Sequence, residues 1–539
     1  MSNKIIYQDI SPGAAEESNP QMSDMQPFST LSDIFKDDIY PPKVETLEHN
    51  YWRLDGTYQL FPDDPTGDVW GAWSASISDS DGYFAAPVEL LLTFQQLHSS
   101  VGLTLEFDRH EPNWCNDLVI SWYRDNTLLE QQDFVPVDWQ FACVREVRNF
   151  NRIILSFRRT NVPGRYLRVT RLTFGIERVL KDDELESINL FQAASPISDE
   201  LRINNLEFVL RSRAGSVPFM FQRKQPLYLY HNDRLQGVFY ISKSKRGGEN
   251  IYTIEADDML GLLDTSSFKG GIYTGISVQE LVGQIVGNLP FEIDTVLQSQ
   301  LLYGWLPIST RREALGQVAF AIGAMVDTTG SEKVRIFRAA DTVTSDIGGD
   351  RVFDGGGTVE TTALVTAVEI TEHAYEKSGE TRELYKGELG DSLEITFSEP
   401  VYDLSITHGS ILDSGANCAV ISGAGDCTLS GKSYHHSTKT ITVRNPDVAA
   451  GDIENVISVT SATLVSKYNS AAVAQRIYEY YQHRETVEAE AIMADERPGD
   501  MVTIDTDFEG SKTGILIGTD ITLAREKTAN IEILVTGGV

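Results

Sequence analysis

The sequence predicts a mainly β protein with a small α+β part. Three observations predict it. Short apolar runs separated by turn residues recur through most of the chain, helical periodicity is confined to a few capped segments, and 539 residues exceed what one core can hold. About three to four compact units are expected. With 41% hydrophobic and 23% charged residues, the composition is that of an ordinary globular protein.

The formal net charge of -33 repels phosphate backbones, so no nucleic-acid recognition and no electrostatic binding to anionic membranes are expected. The opening stretch MSNKIIYQDI has no apolar signal region, and no apolar run is long enough to span a bilayer. Neither export nor a membrane segment is expected.

Residues 1–45 are rich in Ser, Asp, Glu and Pro, with one apolar patch at Ile5, Ile6 and Tyr7 and a break at Pro41-Pro42. They read as an arm or linker, either a loose tail or a strap that orders on a neighbouring subunit. Residues 46–178 then carry VELLLTF, VGLTLEF, LVISWY, RIILSF and YLRVTRLTF, the pattern of a β-sandwich. Six of the seven tryptophans lie here: Trp52, Trp70, Trp73, Trp114, Trp122 and Trp139.

Residues 179–265 form a second β region of meandering hairpins, with turns at Asn232-Asp233 and Gly247-Gly248 and Pro226 at a strand start. In residues 266–340 the period lengthens. Ser277 with Glu280 and Thr310 with Glu313 read as capping boxes ahead of two helices, and a hairpin follows through Thr329-Gly330. Connecting strands are expected over 341–384, past the glycines 355–357. A small β insertion over 385–462 includes a polar, turn-rich stretch from Gly423 to Lys432. The last segment, 463–539, has a helix from Ala471 to His483, striped by Val473, Ile477 and Tyr481, and then strands.

The residues give little support for catalysis. SGAGDCTLSGKS ends like a phosphate-binding loop, but Asp426 stands where the first glycine is needed. His110-Glu111 meets Trp114 where a zinc protease has its second histidine, and there is no G-x-S-x-G elbow. His435-His436, expected in a polar turn, has no third ligand spaced to help it. The 78 acidic residues offer no spacing that selects a glycosidase pair. Asp79 and Asp81-Gly82, in SDSDGY, fit a plain turn, with a structural calcium left open and no other cofactor expected. Cys115, Cys143, Cys418 and Cys427 fall as two separated pairs without C-x-x-C, which argues against zinc. Reduced buried thiols are expected, with oxidation outside a cell as the alternative.

The aromatic cluster is the remaining signal, because indole rings stack on the C–H faces of sugars. Trp122, alternating within LVISWY, reads as core. Trp70, Trp73, Trp114 and Trp139 stand beside Gly, Asp, Asn and Pro, so they are expected on loops, where exposed aromatics mark binding. They are the candidate carbohydrate-binding residues, and no catalytic residue is nominated.

Two stretches carry a resemblance to known families. Residues 51–176, with NVPGRYLRV at 161–169, resemble the galactose-binding-like, discoidin-like jelly roll, whose members bind glycans through loops at one end. The second is similar to baseplate hub and tail-tip proteins of phage tails. It is carried by QPLYLYHNDRLQGVFYISKSKRGGENIYTIEADDMLGLLD, SVQELVGQIV, STRREALGQVAFAIGAMVDTTGSEKVRIF, AAVAQRIYEYY, RPGDMVTID and GILIGTDITLA, about half the chain. That resemblance implies a non-enzymatic virion protein with two tube-like β-barrel domains built from discontinuous segments. It further implies a homotrimer with tail tube, distal tail and spike or tip proteins as partners, synthesised in a bacterial host's cytoplasm. The added sandwich implies contact with host cell-wall polysaccharide. A distal-tail or receptor-binding adhesin and a glycan-targeted hydrolase are the alternatives.

Overall fold

A computed structural model describes residues 2–11, 13–36, 43–59, 70–108, 113–211, 225–248, 250–353, 355, 357–390, 392–449, 451, 453–506, 510–524 and 526–537. Pro41-Pro42, His110-Glu111 and Gly356 lie outside the described residues. The fold is mainly β. Among the described residues no helix is long and apolar enough to cross a membrane. The chain divides into two compact units, one centred on residues 6–180 and one on residues 181–211 and 227–539 with residues 2–5 added.

The first unit is a sheet in the order Ala72–Ile77, Tyr166–Thr173, Tyr83–Phe107, Gln140–Thr160, Cys115–Arg124, Thr127–Phe134, with Asn19–Met22 paired onto Tyr83–Phe107. Alternation explains the strands: Val88, Leu90, Leu92 and Phe94 point inward while Glu89 faces solvent. Two strands are long enough to serve both layers of a sandwich. The pairing of Tyr83–Phe107 with Gln140–Thr160 slips between Thr93 and Gly102, and such irregularities bend strands. The consequence is measurable. Phe157 lies next to Val88 in register, nineteen positions before Phe107, yet the Phe107 and Phe157 rings are 6.5 Å apart. The sheet has folded onto itself, and both halves of each long strand share one core.

Residues 1–45 correct their reading as a loose arm or a strap for a neighbour. Within the first unit, Asn19–Met22 adds a strand against Leu90–Thr93, and the 3-10 turn Leu31–Phe35 buries Ile34 in the sandwich core. The alternating polarity that marks a strand is diluted there by acidic and proline residues, which hid it from sequence reading.

The second unit is organised by a sheet that joins distant parts of the chain. Its order is Thr358–Thr361, Glu485–Ile492, Lys527–Gly537, Gly510–Leu523, Leu185–Ala193, Asn205–Arg211, Ile251–Asp257, Arg234–Arg246, Pro226–His231. The seam is antiparallel, with Asn189 opposite Thr522 and Leu190 opposite Ile521. Asn232 and Asp233 both have positive φ, 50° and 60°, as a two-residue hairpin turn of the primed type requires.

Between these strands the chain makes a helical layer and a second sheet. Thr310 and Glu313 form the full reciprocal capping box of Arg311–Ile322. Ser277 caps Val278–Val286 by accepting the Glu280 amide. The helices bury Leu281, Val282, Ile285, Leu315, Val318 and Ile322 in one core. Ser470–Gln482 buries Val473, Ala474 and Ile477 against Val368 and Ile370. The second sheet is dominated by one hairpin, Ala367–Leu389 against Cys418–Arg444, running from Ala367 opposite Arg444 to Leu389 opposite Gly425. Two expectations change here. The boundary at 384/385 falls inside a single strand, so the β unit begins near 367. The stretch Gly423 to Lys432 and His435-His436 are strand, not turn. Small polar residues in a long two-stranded ribbon look like turn residues when the partner strand is unknown.

Candidate functional site

Trp70 and Trp73 are core residues, which corrects their expected exposure. Trp70 is 0% and Trp73 2% exposed, and their rings meet edge to face at 5.7 Å. Phe28 packs on both, at 5.0 and 5.6 Å. Thr30 Oγ1 accepts the amides of Trp70 and Gly71 at 3.0 and 3.1 Å, and Ser29 Oγ accepts the Trp73 amide at 3.2 Å. Gly71 has φ +69°, and a Cβ there would lie 2.6 Å from the Val169 carbonyl oxygen. The glycine that suggested a loop is a tight backbone approach onto Tyr166–Thr173.

Trp114 and Trp139 are half-buried. Trp114 packs against the sandwich core, and its amide donates to Asn161 Oδ1 at 2.9 Å. The Trp139 amide donates to Asp138 Oδ1 at 2.7 Å, and its carbonyl accepts the Phe107 amide at 2.7 Å. Both border the end of Tyr83–Phe107: Trp139 bonds to Phe107, and Asn113, just before Trp114, bridges to Asp108. The structure therefore joins Trp70 to Trp73 and sets Trp114 and Trp139 at the end of one other strand. Asp79, considered for calcium, accepts the amides of Asp81 and Tyr83, both at 2.9 Å, and so closes its own turn. Among the described residues no group of three or more His, Cys, Asp or Glu could hold a metal. All four cysteines are free and buried. Burial pushes the Cys115 thiol up to about 11 and the Cys143 thiol well above its ordinary value.

Behind Trp73 lies a charged knot that the sequence did not announce. Glu48 grips the Arg168 guanidinium through both oxygens, with Arg168 Nη1 to Oε1 at 2.9 Å and Nη2 to Oε2 shorter still. The Tyr51 hydroxyl donates to Asp108 Oδ2 at 2.5 Å, and the guanidinium lies 4.2 Å from the centres of both the Tyr51 and the Trp73 rings. Burial opposes the charge on Arg168, but Tyr51, Glu48 and Asp108 around it hold its pKa above the ordinary value. The knot fastens residues 46–51 to strand Tyr166–Thr173. It is a structural feature.

In the second unit the assembled sheet carries acid on an exposed face. Glu488 sits directly opposite Glu532, and Glu490, Asn530 and Asp520 form the next rung. A hollow of about 370 Å³ is lined there by Phe191, Thr358, Glu488, Asp520, Asn530 and Glu532. Burial, then Glu488, raises the Glu532 pKa, and Glu360 adds to the effect against Arg202. Like charges opposed across a ladder destabilise a sheet, so this pair does not help to hold the strands together.

A second buried group is acidic and, among the described residues, pairs with no cation. Asp258 caps Met259–Asp264 by accepting the amides of Leu260 and Gly261 at 2.9 and 3.2 Å, and Thr328 donates to its other oxygen at 2.6 Å. Asn204 bridges Asp327, Thr328 and Thr329 beside it. Burial pushes the Asp258 carboxyl up to about 7. The knot ties the end of one hairpin to the start of a helix.

No family model matches the chain, and no curated protein matches it. Solved structures do resemble it. A tail protein from Neisseria meningitidis MC58 is 10% identical with a TM-score of 0.42, covering 66% of this chain and 93% of that one. The 43 kDa tail protein of prophage MuSo2 from Shewanella oneidensis is 9% identical with a TM-score of 0.40, covering 67% and 95%. Prophage tail protein gp18 from Listeria monocytogenes EGD-e is 11% identical with a TM-score of 0.39, covering 66% and 91%.

Proposed function

We propose that the chain is a structural, non-enzymatic hub subunit at the baseplate or tip of a phage-like tail. In this reading it forms a homotrimer that joins the tail tube to a spike or tip protein. One observation carries the reading: strand Leu185–Ala193 is zipped between Asn205–Arg211 and Gly510–Leu523, so one sheet is built from the two halves of the chain. The tail-hub resemblance of the sequence implies this kind of assembly from separated segments, with the helices and the 367–459 sheet as the intervening excursion. The opposed glutamates Glu488 and Glu532 fit a surface past which polyanionic cargo slides without sticking.

Mass photometry and negative-stain imaging of the purified chain, alone and mixed with the tail-tube protein of its own particle, test the reading. Ring-shaped trimers that cap tube ends are expected. Monomers that ignore tube protein at micromolar concentration would overturn it.

In the same reading the sandwich touches host-surface glycan, and Trp114 and Trp139 are the candidates that keep accessible ring surface. Retention on host wall polysaccharide that survives Trp114→Ala and Trp139→Ala together would remove them from the proposal.

A further inference from the structure

A second cleft of the second unit concentrates positive charge on an acidic chain. It measures about 660 Å³ and lies between the C-terminus of Arg311–Ile322 and the face of Ser470–Gln482. Arg338 and Arg476 line it together with Tyr468, Tyr480, Ile322 and Leu534. Arg476 reaches over Gly323, where any Cβ would collide with its Nη1, and donates from Nη2 to the Phe320 carbonyl oxygen. That contact caps the helix, and a cation is favourable there. It leaves the guanidinium incomplete: Nε is buried without a hydrogen-bond partner. Among the described residues neither arginine makes an ion pair. Burial first, then Arg338, pulls the Arg476 pKa down to about 10. A buried cation held beside a second cation is expensive unless an anion completes the site.

The other titratable groups of the cleft bear on which anion. Glu479, on the same helix, is exposed and accepts from Gln475 at 2.9 Å rather than pairing with Arg476. His483 is held below its ordinary pKa by burial, with Glu479 opposing. A rim glutamate and a chain of net charge -33 repel polyanions, which disfavours nucleic acid. The walls are apolar and aromatic. Tyr468 is 63% exposed and packs on Tyr303 at 4.2 Å, and Ile515 and Leu534 form part of the lining. Isolated negative charge beside apolar surface is what an Asp or Glu among hydrophobic residues offers.

We infer that this cleft docks a peptide segment of a partner protein, with one Asp or Glu carboxylate held by Arg338 and Arg476 and a neighbouring apolar side chain against Tyr468 and Leu534. The inference does not depend on the tail reading. The probe is a randomised, end-capped heptapeptide library passed over the immobilised full chain, followed by titration calorimetry of the best binder, its Asn or Gln isostere, and inorganic phosphate. Enriched peptides should carry an acid beside an aromatic or aliphatic residue. The isostere should bind at least about tenfold more weakly, as loss of a charge-assisted pair implies. Arg338→Ser, on an exposed side chain, should cause a similar loss with an unchanged melting temperature, and Arg476→Gln a larger one. Enrichment of peptides without an acid, equal binding of the isostere, equal binding by Arg338→Ser, or saturation by phosphate with no peptide enriched would each overturn the inference.

Discussion

Arg168 in the sandwich and Arg476 in the second unit both take a guanidinium out of water, and their surroundings are opposite. Arg168 meets two carboxylates and two aromatic faces, and its pKa rises. Arg476 meets a carbonyl and another arginine, and its pKa falls to about 10. Burial of a charge therefore does not reveal its role, and neither does an unbonded Nε, which both arginines have; a counter-charge does, and Arg168 has it in Glu48 and Asp108. A neutralised cluster fixes the fold, and an open one retains binding capacity. The second unit also buries carboxyls both with and without a counter-charge. Glu496 is paired with Arg351 at 2.8 Å and, although burial opposes this, is held down to about 2 by Arg351 and Ser345. Asp258 pairs with no cation among the described residues and is pushed up to about 7, but two amides and Thr328 occupy its oxygens, so it too holds the fold.

The largest effect should come from opening the closed cluster. Glu48→Gln leaves the Arg168 charge buried without its bidentate partner. A loss of about 3–5 kcal/mol in sandwich stability is expected, the usual cost of breaking a buried pair from one side. Calorimetric unfolding should show the loss in the sandwich transition alone. A change below about 1 kcal/mol would mean that the cluster is not closed in solution.

Next in size is the lone carboxyl. The Asp258 pKa is raised in the folded chain, so its protonated form is favoured there. Its contribution to stability is fully present below the ordinary carboxylate range, about 4, and is lost as pH rises toward 7. Asp258→Asn keeps an oxygen for the Leu260 and Gly261 amides and remains neutral. Relative to wild type, it should be more stable at pH 8 and should remove part of the decline between pH 4 and 7. A thermal melt series across that range reads both effects, and parallel curves would refute the assignment.

What was legible in the sequence was local. The alternation of Leu227 and Leu229, the capping box at Thr310 and the stripe of Val473 and Ile477 needed only near neighbours, and each appears as strand or helix. What was illegible depends on partners far along the chain. Trp70 and Trp73 looked like loop residues because glycine flanks them, and their burial comes from Phe28 and Val169. Glu48 reaches Arg168 across 120 positions, and Asn189 finds Thr522 across 333. His435-His436 looked like a turn until Tyr375 and His373 stacked on His436 from the opposite strand. Nothing in the local sequence singles out Arg476, which reaches the Phe320 carbonyl across 156 positions.

That histidine stack gives a smaller test of the same contrast, now between neutral partners. His373 Nε2 donates to the Thr460 carbonyl at 3.1 Å, so its Nδ1 accepts from His436 Nε2 at 3.0 Å. Burial, then His436, holds the His373 pKa below its ordinary value. The arrangement is stabilising above the ordinary histidine value of about 6.5 and fails as pH falls, when two protonated nitrogens face one another. Amide exchange in Ala367–Leu389 should quicken about tenfold between pH 7.5 and 5, after correction for intrinsic rates. His436→Gln should flatten that dependence, because its side-chain amide donates without titrating. An unaltered pH profile would show that the stack is not the cause.

The smallest expected change is also the one that separates the two arginines most sharply. Methionine approximates the arginine stem and carries no charge. Arg168→Met should be costly, since Glu48 and Asp108 then face each other without a cation. Arg476→Met removes one capping hydrogen bond, worth about 1 kcal/mol, and at the same time relieves the burial of an unpaired guanidinium next to Arg338. The two contributions oppose, so the melting temperature of the second unit should move by no more than about 2 °C in either direction. A loss as large as that of Arg168→Met would mean that Arg476 already has its anion within the chain, and the cleft would then be a closed structural cluster like the one in the sandwich.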